Sequence, residues 1–448
     1  MKLINSLIKV KLRSGNTLLI NALNGLIDEI SSMELNNIHI WETEDSIEPK
    51  TDEEKSLYEK LMLREYLVKD ANDESRKRQD LVKKLNDSHE KTKEAFDIVS
   101  FILTYDCNFA CTYCYEAENK ILLKNMYLTK DMVDRVFTIT RGRIRHINFF
   151  GGEPLLLPNM GIIKYIIEKF AGVSYSVITN GYYLEEYFDI FEALKHVSIQ
   201  VTIDGPKEMH DKRRIPINGT PTYDKIMRGI ELYLNAGMLI KIRMNVDKND
   251  YSIYTKFRME LLDKWHAFRD NLSFELYPLF KHKNELLDDI YKNDLSNELV
   301  NNGELRPTMF NELLGLSLPI VNYIATGKRF SPMYSSCDAD QSCKFFDPEG
   351  YIYSCILAVG QKDNAIGTYY PEYQLFENSM FDRNILNIEK CSSCRYAFLC
   401  GGGCALEVIN GGCNKAMPNC SFTLHALHST LPIVYEARKE VMKRGDSL

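Results

Sequence analysis

The sequence predicts an α/β protein built around a parallel sheet, either open or curled into a partial barrel. Between residues 96 and 280, six strand-like runs alternate with helical patterns, which is typical of successive βα units. Polar or glycine-containing segments follow several of these runs, where parallel α/β folds carry their chemistry. With 448 residues, the chain is long enough for two or three domains and a substantial core.

Six runs are predicted as the strands of this sheet. They are Ile98–Thr104, Ile144–Phe150, Tyr175–Thr179, Val197–Ile203, Leu239–Val246 and Leu272–Tyr277. Helical periodicity between them is clearest at Thr129–Thr140, Ile162–Phe170 and Tyr223–Ala236. Five residues able to serve a site fall at or just after strand ends: Cys107, Gly151, Asn180, Asp204 and Asn245. Because the carboxyl ends of parallel strands meet at one edge, we expect these five residues to lie close together.

Residues 1–72 are predicted to form a small winged-helix-like module ahead of the sheet. Two strand-like runs, Ile4–Leu12 and Thr17–Ile20, flank a Ser-Gly-Asn turn. Thr51 and Glu54 have the spacing of a capping box at the start of a helix, and a short strand ends the module.

The remaining segments differ in charge and cysteine content. A charge-dense run over residues 73–95 predicts a solvated linker helix. Residues 281–336 form a bridge with a helical pattern at Phe310–Thr326. A cysteine-rich segment over 337–424 and a helix over 425–448 complete the predicted organisation.

Composition and charge limit the cellular compartments and the binding partners that we expect for this protein. The formal net charge is −7, which gives no reason to expect a nucleic-acid partner. No apolar stretch reaches the ~20 residues of a membrane span, and Lys9, Lys11 and Arg13 interrupt any signal-peptide core. We therefore expect a cytoplasmic protein with no membrane association.

The 12 cysteines are predicted to bind metal. In a reducing compartment a disulfide framework is disfavoured, so metal or redox roles become the first expectation. No cysteine precedes Cys107, three lie between Cys107 and Cys114, and nine lie between Cys337 and Cys420. Scattered core cysteines would not cluster in this way.

The first cysteine group, Cys107, Cys111 and Cys114, lies in a loop directly after the first predicted strand. Three thiolates can hold three irons of a [4Fe–4S] cube and leave the fourth iron open, which suits a catalytic cluster. The alternative is a zinc site, which needs a fourth ligand. No histidine or fourth cysteine lies in or directly beside this loop, so the iron–sulfur interpretation is favoured.

With these motifs the chain resembles the radical S-adenosylmethionine (SAM) superfamily, over most of its length. The Cx3Cx2C loop, with Tyr113 before its last cysteine, is similar to the superfamily signature. The FFGGEPLL segment, with Gly151, Gly152 and Glu153, resembles a second signature that meets the SAM amino group. A carboxylate suits an ammonium group, and adjacent glycines allow a close backbone approach. The resemblance implies a partial (β/α)6 TIM-type barrel.

Further segments resemble superfamily motifs that line the cofactor and substrate cleft. The residues that the resemblance assigns there are Thr179, Asn180, Thr202, Asp204, Arg214, Arg243 and Asn245. Each is a weak signal alone, because a polar residue at a strand end is more often structural. Their order on successive strands makes the set stronger.

The cysteine-rich segment resembles the SPASM extension of the superfamily, which holds two auxiliary [4Fe–4S] clusters. The resemblance implies that one cluster takes Cys337, Cys343, Cys355 and Cys404, and the other Cys391, Cys394, Cys400 and Cys420. Paired zinc sites are the alternative. Cys413 is left without a ligand role.

The resemblance also implies a reaction. SAM bound at the open iron would yield a 5′-deoxyadenosyl radical that abstracts hydrogen from a C–H bond, with a flavodoxin- or ferredoxin-type protein as reductant. The N-terminal module resembles the leader-peptide recognition domain of maturases of ribosomally made peptides. Residues 1–70 carry nine Lys/Arg and thirteen Asp/Glu, which argues against DNA binding.

Three functions are therefore considered. The favoured one is maturation of a precursor peptide by a cross-link, with a thioether preferred. The second is an anaerobic sulfatase-maturing enzyme, which is disfavoured because that family has an aspartate where this chain has Ile356. The third is a non-catalytic iron–sulfur protein that binds peptides.

Overall fold

The computed structural model describes residues 1–93, 96–194, 196–247, 250–279, 318–337, 343–376, 383–410 and 417–443. The chain divides into two compact units. Unit 1 comprises residues 1–92, 287–337 and 383–448, and unit 2 comprises residues 93–286 and 338–382. The N-terminal region thus shares a unit with residues 383–424 of the cysteine-rich segment.

The strands in chain order are β1 Lys2–Leu3, β2 Leu7–Lys11, β3 Thr17–Asn21, β4 Leu26–Ile30, β5 Leu67–Val68, β6 Ile98–Ile102, β7 His146–Phe150, β8 Ser174–Thr179, β9 Val197–Thr202, β10 Leu239–Val246, β11 Leu272–Pro278, β12 Cys343–Phe346, β13 Tyr351–Tyr353, β14 Gly367–Thr368 and β15 Gln374–Leu375. The α-helices are α1 Ser32–Trp41, α2 Asp52–Leu63, α3 Ala71–Lys93, α4 Ala117–Leu122, α5 Lys130–Thr140, α6 Met160–Lys169, α7 Leu184–Glu192, α8 Lys207–Arg213, α9 Tyr223–Asn235, α10 Tyr251–Lys264, α11 Leu318–Thr326, α12 Ala397–Cys400, α13 Ala405–Asn410 and α14 Ser421–Lys443.

Unit 2 is built on a ten-stranded sheet in the order β11-β10-β9-β8-β7-β6-β12-β13-β14-β15. The six predicted strands are β6 to β11, and they pair in parallel in chain order. In the wall of a barrel the strands follow one another in chain order, as they do here. In a doubly wound sheet the strand order reverses at a switch point. The predicted partial barrel is confirmed at this level.

Helices cover this sheet through apolar faces. In α5 the buried residues are Met132, Val133, Val136 and Thr140, at the spacing of one helical face. The helix begins where predicted, because the Thr129 hydroxyl accepts a hydrogen bond from the Met132 N–H at 3.3 Å.

One part of this sheet was not predicted. Strand β12 lies parallel to β6, with Cys343 opposite Ile98, and continues into the antiparallel strands β13, β14 and β15. The cysteine-rich segment therefore contributes strands to the sheet that carries the first cysteine loop.

Unit 1 contains the antiparallel sheet β2-β3-β4 and the short pair β1–β5. The predicted strands and the helix with the Thr51–Glu54 capping box are confirmed. Strand β4 and helix α1 were missed, although α1 starts with a second capping box at Ser31 and Glu34. Residues Leu26, Ile27 and Ile30 of β4 are all buried, so the strand lacks the alternation that identifies a half-buried strand.

The N-terminal sheet of unit 1 packs against elements from both ends of the chain. Its core includes Trp41 of α1 and Leu57 and Leu61 of α2. Helix α14, at the far end of the chain, packs against β2. The Lys439 ammonium lies 2.6 Å from the Glu29 carboxylate. The N-terminal region is therefore part of a larger core.

Two sequence predictions fall wholly or partly outside the described residues. Cys413 lies outside them, and so do residues 310–317 of the predicted bridging helix, of which α11 is the described part. Within the described residues, no helix combines the length and apolar character needed to cross a membrane.

Candidate functional site

The loop after β6 carries Cys107, Cys111 and Cys114, all partly buried and none in a disulfide. The Cys107 Sγ accepts a hydrogen bond from the Phe109 N–H at 3.4 Å, and the Cys114 N–H donates to the Cys111 carbonyl at 3.2 Å. All three cysteines line one cavity of about 770 Å³. Three thiols on a single cavity fit the donor set of an iron–sulfur cluster.

A single metal ion is a poor match for these thiols. Across the described ranges, no group of three or more His, Cys, Asp or Glu side chains is arranged to hold one metal ion. A cube of four irons spreads its ligands further apart than one ion does, since each thiolate binds a different iron.

Gly151 and Gly152 at the end of β7 pack against the backbone of the cysteine loop. A Cβ on Gly152 would lie 2.4 Å from the carbonyl oxygens of both Tyr105 and Asp106. A Cβ on Gly151, at φ +136°, would lie 2.4 Å from the Thr104 carbonyl oxygen. The sequence suggested close approach to a ligand, whereas the neighbour in the structure is the loop itself. These glycines thus set the position of the three thiols.

Glu153 is buried and joins the ends of β7 and β8. Its carboxylate accepts hydrogen bonds from the Thr179 hydroxyl at 2.6 Å, the Asn180 N–H at 2.7 Å and the Leu155 N–H at 2.9 Å. Burial raises the pKa of Glu153, against the effect of these donors. A carboxylate has about four acceptor positions, so one remains for a ligand.

Asn180 connects this group to the cysteine loop. Its Nδ2 donates to Asn108 Oδ1 at 2.8 Å and lies 3.9 Å from the Cys107 Sγ. The predicted residues Glu153, Thr179 and Asn180 therefore lie together beside the first cysteine.

Tyr113 is the centre of a second polar group. Its hydroxyl donates to the Asp204 carboxylate and accepts from Arg214 Nη1 at 2.7 Å and from Asn245 Nδ2 at 3.0 Å. Asp204 is fully buried, and burial raises the pKa of Tyr113. Four of the predicted residues, from four separate segments, therefore meet at one hydroxyl.

Arg213 also belongs to this group, although the sequence pointed only to its neighbour. Its Nη1 lies 2.6 Å from Asp250 Oδ2, its Nη2 donates to the Asn245 carbonyl at 3.1 Å, and its Nε lies 3.6 Å from Asp204. The signal for it in the sequence is its place in the basic run HDKRR, residues His210–Arg214.

Thr202 and Arg243 lie opposite each other on β9 and β10. The Arg243 guanidinium stacks 3.7 Å from the centroid of the Tyr277 ring. Its Nε is buried and makes no hydrogen bond among the described residues. On β10, Arg243 lies two residues before Asn245, the member of the Tyr113 group on that strand.

The second predicted auxiliary ligand set lies together in unit 1. Its members are Cys391, Cys394, Cys400 and Cys420. After burial, the charges of the other three thiols raise the pKa of Cys391, and those of Cys420 and Cys394 raise the pKa of Cys400. Burial raises the pKa of Cys400 to about 11. An isolated Cys400 would therefore stay protonated, whereas a bound metal would stabilise its thiolate.

The first predicted auxiliary set is divided between the units. Cys337 and Cys404 belong to unit 1, and Cys343 and Cys355 to unit 2. In unit 1 the chain between Cys400 and Cys404 runs through three glycines with positive φ. A Cβ on Gly403 would lie 1.9 Å from the Asn419 carbonyl oxygen, so only glycine fits this crossing.

Comparison with known proteins identifies the domain that holds the cysteine loop. Residues 101–250 match the family model for the Radical SAM superfamily, which confirms the resemblance drawn from the Cx3Cx2C and GGEP motifs. A cysteine-type anaerobic sulfatase-maturating enzyme of Clostridium novyi (strain NT) is 26% identical over 336 residues, 67% of this chain and 85% of the relative.

Two further proteins are similar over more of the chain. Mycofactocin maturase MftC of Mycolicibacterium smegmatis is 24% identical over 347 residues, 72% of this chain and 81% of the relative. The crystal structure of Streptococcus suis SuiB bound to precursor peptide SuiA aligns with a TM-score of 0.50 and 16% identity, over 94% of this chain and 99% of that chain. At this identity the likeness to SuiB is one of fold.

Proposed function

We propose that this radical SAM enzyme matures a ribosomally made precursor peptide by installing a cross-link, with a thioether favoured. The observation that carries the proposal is the antiparallel sheet β2-β3-β4 in the same chain as the thiol loop. That sheet has two edge strands, β2 and β4, and an extended peptide can bind a sheet edge through main-chain hydrogen bonds.

The thiols of Cys107, Cys111 and Cys114 would hold the catalytic cluster in the cavity that they line. Bound SAM and the cluster supply one-electron chemistry able to break an unactivated C–H bond. The chain's own contribution is placement. Gly151 and Gly152 hold the loop against β7, and Glu153 and Asp204 offer carboxylates beside it.

The Tyr113 group would bind the polar end of the cofactor. Arg214 carries a fixed positive charge that suits a carboxylate, and the remaining acceptor position of Glu153 suits an ammonium group. Asn180 donates its N–H to Glu153 and lies beside Cys107. We infer that these residues orient SAM over the open iron.

Two auxiliary clusters complete the proposed cofactor set of three [4Fe–4S] clusters. The grouping of Cys391, Cys394, Cys400 and Cys420 in unit 1 supports one of them. For the other we retain the set of Cys337, Cys343, Cys355 and Cys404. Such clusters would take up the electron released when the substrate radical is oxidised, and a flavodoxin- or ferredoxin-type protein would supply electrons.

The peptide substrate is proposed from the sheet edges and from the relatives. The relative MftC is named a maturase, and SuiB was solved with a precursor peptide. The alignment with SuiB extends over 94% of this chain. We assign residues 1–72 the role of a winged-helix-like leader-recognition module, and we place the enzyme in the cytoplasm, where thiols stay reduced.

Sulfatase maturation remains the second candidate, because the Clostridium novyi relative is named for it. The residue after Cys355 weighs against it. Ile356 begins a short 3-10 helix there, and an aliphatic side chain cannot act as the general base that the aspartate of that family is proposed to be.

Co-expression with each short open reading frame found next to the gene tests the proposal. We expect the peptide to lose the mass of two hydrogen atoms per cross-link, and a thioether to protect its cysteine from alkylation. The purified protein should contain about twelve irons.

A variant with alanine at positions 107, 111 and 114 should retain about eight irons and leave the peptide unmodified. Continued modification by this variant would exclude radical chemistry. Conversion of a sulfatase cysteine to formylglycine, with no change in the peptide, would favour the second candidate. Peptide binding without any modification by the fully loaded enzyme would favour a non-catalytic role.

A further inference from the structure

Arg383 is a buried cation inside the cysteine-rich part of unit 1, with 8% of its surface exposed. Its Nη2 donates to the carbonyls of Gly402 and Met417, each at 2.9 Å, and its Nη1 donates to the Gly403 carbonyl. Two of these carbonyls belong to the glycine crossing between Cys400 and Cys404. The guanidinium is thus fixed by the backbone that carries the cysteines.

Thiols of two different predicted clusters surround this guanidinium. Burial lowers the pKa of Arg383, and the charges of Cys404 and Cys337, from one predicted set, and of Cys391 and Cys400, from the other, act to raise it. The packing around Gly402 shows the same proximity: the Arg383 Nη1 and the Cys391 Sγ lie 3.7 and 3.9 Å from the point where a Cβ would be placed.

A second arginine, Arg78 of α3, contacts only one of these groups. Its Nη2 donates to the Cys391 carbonyl at 3.2 Å and also to the Ser392 carbonyl. Its guanidinium lies 4.7 Å from the centroid of the Phe398 ring. Among the cysteines, its charge acts on Cys394 and Cys391, which belong to the same predicted set.

We propose that Arg383 is a positioning residue shared by the two auxiliary clusters, holding the glycine crossing in place and giving both clusters one fixed positive charge. The proposal rests on the assignment of two auxiliary clusters in the proposed function. Reduction adds a negative charge to a cluster, so a nearby cation stabilises the reduced state. Arg383 therefore raises the reduction potential of both clusters, whereas Arg78 raises that of one.

Redox titration of the full-length protein, followed by electron paramagnetic resonance, tests this inference. Cys107, Cys111 and Cys114 are replaced by alanine, so that only auxiliary clusters contribute signals. In that background we expect Arg383→Gln to move both signals to more negative potentials. Arg78→Gln is the matched control and should move one signal. Arg383→Lys retains the charge and should keep both potentials near those of the parent.

The outcomes separate this inference from the proposed function. A parent protein with no auxiliary iron would contradict the cluster assignment itself. With both clusters present, unchanged potentials in Arg383→Gln, or a shift in only one signal, would overturn the shared role. If Arg383→Gln loses iron, the Arg383→Lys variant distinguishes the two explanations. Retained iron and unchanged potentials in Arg383→Lys support the charge role. Loss of iron in Arg383→Lys as well would mean that Arg383 has a purely structural role, and would overturn the proposal.

Discussion

The hydroxyl of Tyr113 donates a hydrogen bond to the buried carboxylate of Asp204, 91 residues further along the chain. This contact ties the cysteine loop after β6 to the end of β9. Arg214 and Asn245 reach the same hydroxyl. A single phenol oxygen is therefore hydrogen-bonded to the polar groups that are proposed to bind SAM.

Replacing Tyr113 with phenylalanine should weaken SAM binding without loss of the cluster. The substitution removes one hydroxyl and leaves Asp204, Arg214 and Asn245 without a shared partner. A lost hydrogen bond of this kind costs about 1.4 kcal/mol, or roughly tenfold in affinity. Anaerobic calorimetry with SAM measures the effect, and iron analysis verifies that the cluster is retained.

Tyr182→Phe is the matched control, because its ring contacts Lys225 outside the Tyr113 group. It should bind SAM as the parent does. Equal affinity for the Tyr113→Phe variant and the parent would contradict a role for this hydroxyl in cofactor binding.

Alanine at position 152 should displace the cysteine loop. The new methyl group would lie 2.4 Å from two backbone carbonyl oxygens, so the loop has to move. We expect the iron content to fall by about four atoms per chain, while the auxiliary clusters stay. Iron and sulfide analysis after anaerobic reconstitution provides the measurement.

Gly161→Ala serves as the comparison for Gly152→Ala. Gly161 lies in α6, and its added methyl group would meet no atom within 4 Å. Full iron content in both variants would mean that the loop tolerates displacement at this contact.

The stability contributed by Asp347 should depend on pH. Asp347 is buried and accepts a hydrogen bond from Tyr105 at 2.7 Å, and burial raises its pKa to about 6, from an ordinary value of 3.8. The folded state therefore binds this proton more tightly than the unfolded state. The contribution of Asp347 is fully present below the ordinary value and is lost as the pH rises through about 6.

Thermal unfolding of the parent and of Asp347→Asn at about pH 5 and about pH 7.5 tests the sign. Asparagine cannot ionise, so the parent should lose stability relative to the variant as the pH rises. A parent that gains stability relative to the variant over this interval would show that the folded state favours the carboxylate.

Leader binding at a sheet edge should protect edge amides from hydrogen exchange. The central strand β3 already pairs on both sides, so only β2 or β4 can accept a further strand. We expect added precursor peptide to slow exchange in one of these edges and not in β3. Mass spectrometry of the full chain, with the peptide or with its leaderless form, measures this difference.

Slower exchange with the leaderless peptide as well would place the contact in the modified part of the substrate. No protection at either edge, for a peptide that the enzyme still processes, would remove the recognition role from this sheet.

The strands of the barrel could be predicted because each is an apolar run with a helical pattern before the next. Strand β10 is found with the predicted bounds, Leu239–Val246. Strand β4 could not be found in this way, since both its faces are covered and Asp28 and Glu29 interrupt the run. Glu29 pairs with Lys439, a contact that no local pattern indicates.

The site shows the same division. Motif spacing identified the thiols and the GGEP segment, because the residues of each motif are close together in the sequence, in a loop after a strand. It did not reveal that Gly152 packs on the loop backbone, which depends on the distance between β6 and β7. It assigned Arg214 to the site but missed Arg213, because only helix geometry directs Arg213 toward Asp250 and Arg214 toward Tyr113.

The pairing of Glu29 with Lys439, 410 residues apart, bears on how the protein is made. During synthesis the N-terminal sheet leaves the ribosome long before α14, so the surface of β2 that α14 covers stays exposed while the barrel is translated. Closing such a long loop is also entropically costly and slow. The core of unit 1 is therefore completed only after helix α14, Ser421–Lys443, has been translated.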